Sequence, residues 1–327
     1  MEERLREILA IALAYDVTDI HFDVNRIEKT IQIDMRVNGK ICRLKSASDD
    51  YALFHYLCYR SNLDITSMFD PQTGSFEENI NGEALSLRFA IVTSAHNTSG
   101  VLRILNNHSS LSVSELCHDP DTVSWLSHIT SHRDGLYILS GPTGSGKTTA
   151  LYTILNACKG KKIFTIEDPI EVYSSSYIQL QVNEKQHMSY GEGIKQLMRH
   201  DPDIVMIGEI RDSEAARMAV RCALTGHLVV SSLHASSCVS AILRLEELGV
   251  SDYQLMDVLH GISNQRLYRM KDGKMAGIYE YMTRKEVQYY FEEKHTDRNF
   301  RSLEERIRAA VAAGILDEKE AEADLSD

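Results

Sequence analysis

The sequence predicts an α/β protein of two domains, a core with a mostly parallel sheet and a smaller α+β domain before it. The chain has 327 residues, more than a single hydrophobic core usually organises. Period-two apolar patterns dominate the first hundred residues, whereas buried-strand and helix patterns alternate from about residue 120. We therefore expect an N-terminal domain at 1–107, a core at 108–282 and a helical C-terminal tail at 283–327.

The N-terminal region begins with the pattern of an amphipathic helix at residues 2–15. Its apolar stripe consists of Leu5, Ile8, Leu9, Ala12 and Leu13. Alternating runs predict strands at 20–23, 30–37, 41–44, 85–90 and 100–105. Asn38-Gly39 is a strong signal for a hairpin turn between two of these strands. A second helix is expected at 51–61, and the polar segment 106–119 resembles a linker.

The core region predicts a parallel sheet because short apolar runs alternate with helical patterns. The expected strands are 136–140, 162–167, 203–208 and 228–233. The expected helices are 148–158, 190–200, 213–225, 238–248 and 253–268. Beyond them, apolar residues spaced four apart between Arg301 and Leu325 predict one or two surface helices, with a frayed acidic end.

Composition limits the classes of partner and compartment. The net charge of −12 argues against a protein whose main partner is the nucleic-acid backbone. The six cysteines include no C-x-x-C pair, so we expect neither a zinc site nor a disulfide framework. The N-terminus has no signal-peptide pattern, and no apolar run is long enough to cross a membrane. We therefore expect a cytoplasmic protein whose role at a membrane, if it has one, is peripheral.

Residues 141–148, GPTGSGKT, fit the phosphate-loop pattern G-x-x-x-x-G-K-[ST]. The three glycines allow backbone amides to surround phosphate groups, and the following helix adds the favourable dipole of its N-terminus. Lys147 is expected to reach the β- and γ-phosphates of a nucleoside triphosphate, and the Thr148 hydroxyl to bind Mg²⁺. The expected nucleotide-binding residues are Gly141, Pro142, Thr143, Gly144, Ser145, Gly146, Lys147, Thr148 and Thr149.

Two acidic clusters and two histidines accompany the predicted parallel strands. Glu167 and Glu209 stand at the carboxyl ends of their strands, where open parallel sheets bind ligands. Both are candidates for holding Mg²⁺ or orienting the attacking water. His227 precedes a strand and His234 ends it, so His234 is expected on the same edge as the phosphate loop.

Four motifs in this order resemble those of the type II/type IV secretion ATPases. They are GPTGSGKT at 141–148, IEDPIE at 166–171, DPDIVMIGEIRD at 201–212 and TGHLVVSSLHA at 225–235. In that family they look like the Walker A motif, aspartate box, Walker B motif and histidine box. The N-terminal segments TDIH at 18–21, RVNG at 36–39, PQTG at 71–74 and GVLRIL at 100–105 also resemble family segments.

The resemblance implies a RecA-like ATPase core behind a PAS-like N-terminal domain, working as a homo-hexamer on a polytopic platform protein of the cytoplasmic membrane. It implies that Glu167 positions water and that Glu209 helps to hold Mg²⁺, and the reverse assignment of these two roles stays open. It also implies that His227 and His234 form the histidine-box pair. Arg88 and Arg103 match arginines that reach the nucleotide from the N-terminal domain.

The chain lacks the four-cysteine zinc module and the C-terminal retraction motif found in parts of this family. It is therefore most similar to the ComGA-type ATPases of Gram-positive bacteria, which assemble the competence pseudopilus for DNA uptake. Three alternatives remain open at this stage: a retraction-type pilus motor, a DNA-translocating RecA-like ATPase, and a scaffold that binds ATP without turning it over. Direct binding of nucleic acid is not expected.

Overall fold

The computed structural model describes residues 1–15, 17–37, 40–64, 66, 69–80, 82–105, 111–172, 174–183 and 188–325. It confirms an α/β protein and separates the chain into two compact units. The first unit comprises Met1–Asn107 with Pro169–Tyr173, and the second comprises His108–Asp168 with Ser174–Asp327. The predicted turn Asn38-Gly39 lies outside the described residues.

The first unit is built on a six-stranded antiparallel sheet in the order β3-β2-β1-β6-β5-β4. Its strands are β1 (Asp19–Asn25), β2 (Thr30–Val37), β3 (Lys40–Arg43), β4 (Gln72–Ile80), β5 (Glu83–Thr93) and β6 (Asn97–Leu105). Its helices are α1 (Glu2–Ala14) and α2 (Asp50–Arg60). The apolar stripes of both helices share one core with the sheet, where Phe89 packs edge-on against Phe22 and Phe54. β4 had no counterpart among the predicted strands.

The second unit is built on a seven-stranded sheet in the order β13-β12-β7-β11-β10-β8-β9. Its strands are β7 (Gly135–Ser140), β8 (Ile163–Glu167), β9 (Ile178–Gln181), β10 (Ile204–Ile207), β11 (Leu228–Leu233), β12 (Leu259–Arg269) and β13 (Met275–Thr283). Neighbours from β12 through β9 pair in parallel, and β13 pairs antiparallel with β12. Strands β7, β8, β10 and β11 are buried along their whole length, as parallel strands covered on both faces are.

The helices of the second unit follow the strands closely along the chain. They are α3 (Pro120–Ile129), α4 (Lys147–Asn156), α5 (Tyr190–Leu197), α6 (Ser213–Leu224), α7 (Cys238–Glu247), α8 (Asp252–Val258), α9 (Arg284–Glu293), α10 (Leu303–Ala312) and α11 (Glu318–Leu325). Short polar residues fix several starting points, since Asp212, Ser237 and Ser302 each accept a hydrogen bond from a backbone amide of the first helical turn. None of the helices in the described part of the chain is long and apolar enough to span a membrane.

The predicted helix at 253–268 is wrong beyond Val258, because residues 259–269 form strand β12. This strand obtains its backbone hydrogen bonds from β7 on one side and β13 on the other, which a local apolar pattern does not reveal. Gly261 permits the close approach: a Cβ atom there would lie 2.7 Å from the ring of Tyr137 and 3.0 Å from that of Trp125.

The C-terminal helices belong to the packed structure of the second unit. Leu303, Ile307, Leu316 and Ala321 are buried in a small apolar cluster with residues of β12 and β13. The acidic end, expected to fray, forms α11 as far as Leu325. Apolar residues spaced along an acidic segment are therefore enough to anchor it here.

Candidate active site

The phosphate loop joins the buried strand β7 to helix α4, as its sequence pattern predicts. The Lys147 side chain is only 8% exposed. Its ammonium group donates hydrogen bonds to the carbonyl oxygens of Gly141 and Pro142, both at 2.9 Å. The loop therefore bends back on its own lysine and keeps the cation at the start of α4.

The backbone of the loop depends on glycine at its last positions. Gly144 has a φ of 79° and Gly146 a φ of 85°, in the left-handed region that other residues rarely adopt. Gly146 is the N-cap of α4, so Thr148 and Thr149 lie in the first turn of that helix, half-buried. A helix N-terminus preceded by such a loop presents amide donors and a positive dipole to an anion.

The loop also holds a polar group suited to a phosphate ligand. Ser145 is 3% exposed, and its hydroxyl group has no hydrogen-bond partner among the described residues. A buried hydroxyl without a partner is uncommon in native structures and calls for an explanation. Together with the ammonium group and the helix N-terminus, this spare donor makes the loop a good fit for the phosphates of a nucleotide.

Glu167 ends strand β8 and is 3% exposed. The Tyr152 hydroxyl, on α4, lies 2.7 and 2.8 Å from its two carboxylate oxygens, and the Thr165 hydroxyl donates to one of them at 2.6 Å. Burial and, second, the negative charge of Glu167 raise the pKa of Tyr152, so the phenol stays protonated and donates. The predicted glutamate is therefore held in one orientation by two hydroxyl groups.

Glu209 lies two residues beyond strand β10 and is the centre of a charged cluster. One of its carboxylate oxygens accepts from Arg211 Nε at 2.7 Å, and the other lies 3.2 Å from His234 Nε2. Arg211 also approaches Asp168, at 3.9 Å. The hydrogen bond with Glu209 raises the pKa of Arg211, although burial opposes this shift. The structure thus brings Glu209 and His234 together beyond the carboxyl ends of β10 and β11.

His227 does not join this cluster. It precedes β11, where its ring nitrogen Nδ1 lies 3.0 Å from the Thr225 hydroxyl and 3.3 Å from the carbonyl oxygen of Cys222. The six residues of β11 separate it from the edge that carries His234, a distance of about 20 Å at the usual rise of a strand. The two histidines therefore lie at opposite ends of strand β11.

A polar layer behind the phosphate loop was not predicted as part of the site. Gln265, on β12, donates from Nε2 to the carbonyl oxygen of Ser145 at 2.7 Å. Asn264 donates from Nδ2 to the Ser140 hydroxyl at 3.0 Å and to the Ala235 carbonyl at 2.8 Å. The signal in the sequence was the polar run Ser263-Asn264-Gln265 within an otherwise apolar stretch, since buried amides are retained where they make hydrogen bonds.

Arg88 and Arg103 belong to the first unit, where they are directly opposite each other on β5 and β6. Arg103 is bound to Asp19 of β1, with Nε 2.7 Å from a carboxylate oxygen. Arg88 forms no ion pair with another described residue. Both side chains lie on the sheet face opposite the one that packs on α1 and α2, because their neighbours Leu87, Phe89, Leu102 and Ile104 are the core residues.

The chain was compared with protein families and with individual proteins. The model of the family described as type II/IV secretion system protein matches residues 1–318. The competence protein ComGA of Bacillus subtilis is 31% identical, over 97% of this chain and 95% of the relative. A putative type II secretion system protein E of Escherichia coli is 36% identical over 81% of this chain, which spans about half of that relative, 54% of its length.

Among solved structures, the fold resembles the crystal structure of the pilus retraction motor PilT with bound ADP. The TM-score is 0.79 with 23% sequence identity, and the alignment covers 98% of this chain and 97% of the other. At this identity the likeness concerns the fold alone. The family match, which spans nearly the whole chain, and the phosphate loop on the parallel sheet together show that the protein is an ATPase of the type II/IV secretion system family.

Proposed function

We propose that the protein is an ATP-driven motor for assembly of a type IV pilus-like structure, most closely a competence pseudopilus that serves DNA uptake. The identity with a competence protein over nearly the full length of both chains supports this pathway. The carboxyl edge of the second unit supports the chemistry, because the phosphate loop, Glu167, Glu209 and His234 follow strands that end at that edge. The phosphate loop and these three side chains thus lie at the carboxyl ends of the parallel strands, where sheets of this kind bind ligands.

Residues 141–149 bind the triphosphate in this proposal. Lys147 is already held at the start of α4, where phosphate oxygens would replace the loop carbonyls to which it donates. The spare Ser145 hydroxyl supplies a further donor. Thr148 and Glu209 would hold Mg²⁺, since hydroxyl and carboxylate oxygens are ligands that this ion prefers. When bound, Mg²⁺ would neutralise charge that develops on the β- and γ-phosphates.

Glu167 orients the attacking water, and Tyr152 and Thr165 fix the direction of its carboxylate. His234 lies close to Glu209 and can sense the γ-phosphate through that carboxylate. His227 lies at the opposite ends of the parallel strands from the phosphate loop. It could therefore contribute to catalysis only at a different nucleotide.

The domain organisation in this proposal is a PAS-like domain at 1–107, a RecA-like ATPase core at 108–282 and a helical tail at 283–327. The antiparallel sheet backed by α1 and α2 supports the first assignment, and the parallel pairing from β12 to β9 supports the second. In this proposal Arg88 and Arg103 act on the nucleotide during turnover, as the family resemblance implies, and loss of the γ-phosphate drives the mechanical step.

The working assembly in this proposal is a homo-hexamer at the cytoplasmic face of the membrane, bound to a polytopic platform protein. ATP hydrolysis around the ring would move that platform. The mass of the particle with and without an ATP analogue tests the assembly, and a hexamer that is stabilised by nucleotide is the expected result.

The observation that carries the function is the buried Lys147 at the start of α4, bonded to the loop that it serves. Purified protein should hydrolyse ATP, and Lys147→Ala should abolish hydrolysis while the protein stays folded. Lys159→Ala is the matched control, because Lys159 is exposed just beyond the same helix. Hydrolysis that survives Lys147→Ala would place the reaction elsewhere, and stimulation by DNA would favour a DNA-translocating motor.

A further inference from the structure

Three buried polar residues form one row across the second sheet, and we call Ser140, Asn264 and Glu280 the transverse row. They lie on the neighbouring strands β7, β12 and β13, where Ser140 pairs with Asn264 and Asn264 pairs with Glu280. Their exposed fractions are 0%, 0% and 3%. Polar groups this deeply buried are costly unless their hydrogen bonds are made, so their partners define what the row does.

At one end, the row is bonded to the candidate active site. Asn264 donates to the carbonyl oxygen of Ala235, the residue after His234. Its neighbour Gln265 donates to the carbonyl oxygen of Ser145 in the phosphate loop. A shift of either loop on nucleotide binding therefore acts directly on β12.

Two atoms at this end have hydrogen-bonding capacity to spare. The Ser145 hydroxyl and the Gln265 Oε1 atom are buried, and neither has a partner among the described residues. In contrast, both donor positions of the Asn264 amide are used, and its oxygen accepts from Arg266 at 3.1 Å. The part of the network that touches the phosphate loop is therefore the part that a ligand can still change.

At the other end, Glu280 caps two helices at once. One carboxylate oxygen accepts from the backbone amide of Cys238, the first residue of α7. The other accepts from the amide of Leu303, the first residue of α10, at 2.8 Å. In the described part of the chain no cation lies within ion-pair distance of Glu280, so the two helix N-termini stabilise its charge. The Glu280 carboxylate therefore connects α10 with α7, the helix that follows the His234 loop.

A second connection runs to α11. Arg266, which holds the Asn264 oxygen, also lies 3.4 Å from Asp324 of α11. The Tyr268 hydroxyl donates to the same carboxylate at 2.6 Å. Both C-terminal helices are thus bonded to the β12–β13 hairpin that contacts the phosphate loop.

We propose that the transverse row, with Gln265 and Arg266, transmits nucleotide occupancy from the phosphate loop and the His234 loop to α10 and α11. Asn264 and Gln265 are positioning residues for these loops, and Glu280 is the link that carries the change to α10. The C-terminal helices are then a surface whose stability depends on nucleotide. This inference rests on the proposed function, since it requires nucleotide at the phosphate loop.

Hydrogen–deuterium exchange of the full-length protein tests it, with Mg²⁺ and a non-hydrolysable ATP analogue as the probe. Amides of 141–149 and of 303–312 should both exchange more slowly with the analogue, the second group by about fivefold or more, which is the lower range of measured couplings. Slower exchange at 141–149 without any change at 303–312 would overturn the inference alone. No change at 141–149 would overturn the proposed nucleotide site, and the inference with it.

Glu280→Gln separates transmission from binding. A carboxamide has a single acceptor oxygen and can cap only one of the two helices, so α10 should lose its response while 141–149 keeps its own. Glu286→Gln is the matched control, because Glu286 caps α9 through the Thr283 amide at 2.7 Å and does not belong to the row. A Glu280→Gln variant whose α10 still responds as in the wild type would contradict the role of Glu280.

Discussion

The hydroxyl oxygen of Tyr152 lies 2.7 and 2.8 Å from the two carboxylate oxygens of Glu167, so the phenol donates its proton to that carboxylate. Tyr152 is on α4, the helix that begins at Lys147, and Glu167 ends β8. The residue proposed to orient water is therefore fixed relative to the helix proposed to hold the phosphates. This relationship would connect the binding of nucleotide with the alignment of the reacting groups.

Tyr152→Phe should reduce kcat while leaving the affinity for ATP nearly unchanged. A hydrogen bond to a charged group contributes about 1.5–3 kcal/mol, so its loss corresponds to roughly 10- to 100-fold in rate. Steady-state kinetics with a separate measurement of ATP binding checks the division between the two steps.

Tyr177→Phe is the matched control for that variant. The Tyr177 ring stacks on Tyr152 with centroids 6.1 Å apart, but its hydroxyl group donates to Asn156 and not to Glu167. An equal loss of kcat in both variants would show that the packing of α4, rather than the bond to Glu167, controls the rate.

Arg88→Ala should lower kcat and leave the free energy of unfolding within about 0.5 kcal/mol of the wild type, as for other exposed or half-exposed positions without an ion pair. Arg103→Ala should also lower kcat, and it should cost up to about 1 kcal/mol because it breaks the pair with Asp19. ATPase assays and urea denaturation of both variants check this.

Arg43→Ala provides the comparison for these arginines. Arg43 lies on the same antiparallel sheet and pairs with Asp34 at 3.2 Å, but no role at the nucleotide is proposed for it. Its kcat should equal that of the wild type. If Arg88→Ala lost stability in proportion to activity, a structural role for Arg88 would explain the result.

Acidification should destabilise the protein through His260, which is 8% exposed. Burial lowers the pKa of His260, the charge of Arg284 acts in the same direction, and Asp134 opposes both. The unfolded chain therefore binds the proton more readily, so this contribution to stability is complete above about pH 6.5 and is lost as the pH falls through the folded-state pKa.

His260→Asn should flatten this part of the pH dependence. The difference in the free energy of unfolding between pH 7.5 and pH 5.5 should be smaller in the variant, whatever its stability at pH 7.5. Between pH 7.5 and pH 8.5 the two proteins should show the same pH dependence, because the imidazole is neutral in both states. An unchanged difference at low pH would mean that other groups control acid unfolding.

Much of the second unit could be predicted because its information is local. The phosphate loop, the start of α4 and the buried strand β7 are adjacent in sequence, and the carboxyl ends of parallel strands share one edge of the sheet by geometry alone. That reasoning places Glu209 and His234 near the loop and His227 at the opposite edge. The family resemblance, rather than the strand pattern, suggested a catalytic role for His227.

The residues that support the site could not be predicted, because their contacts join distant parts of the chain. Gln265 meets Ser145 across 120 residues of sequence, and Glu280 meets Leu303 and Cys238 across 23 and 42 residues. Because a helix was predicted at 253–268, the prediction missed strand β12, on which Asn264 and Gln265 lie. Local apolar spacing does not distinguish a buried strand from a buried helix, and the pairing with β7 decides between them.

The central claim is that ATP is cleaved at the carboxyl ends of the parallel strands. ATP turnover by a Glu209→Gln variant tests this claim most directly. The variant keeps the size of the side chain and removes the charge that faces Arg211 and His234. We expect ATP binding to persist and single-turnover hydrolysis to fall by roughly 10²- to 10³-fold, as when a charge-stabilising group is lost, whereas Glu247→Gln on α7 should behave as the wild type. Hydrolysis at the wild-type rate by a folded Glu209→Gln protein would contradict the account.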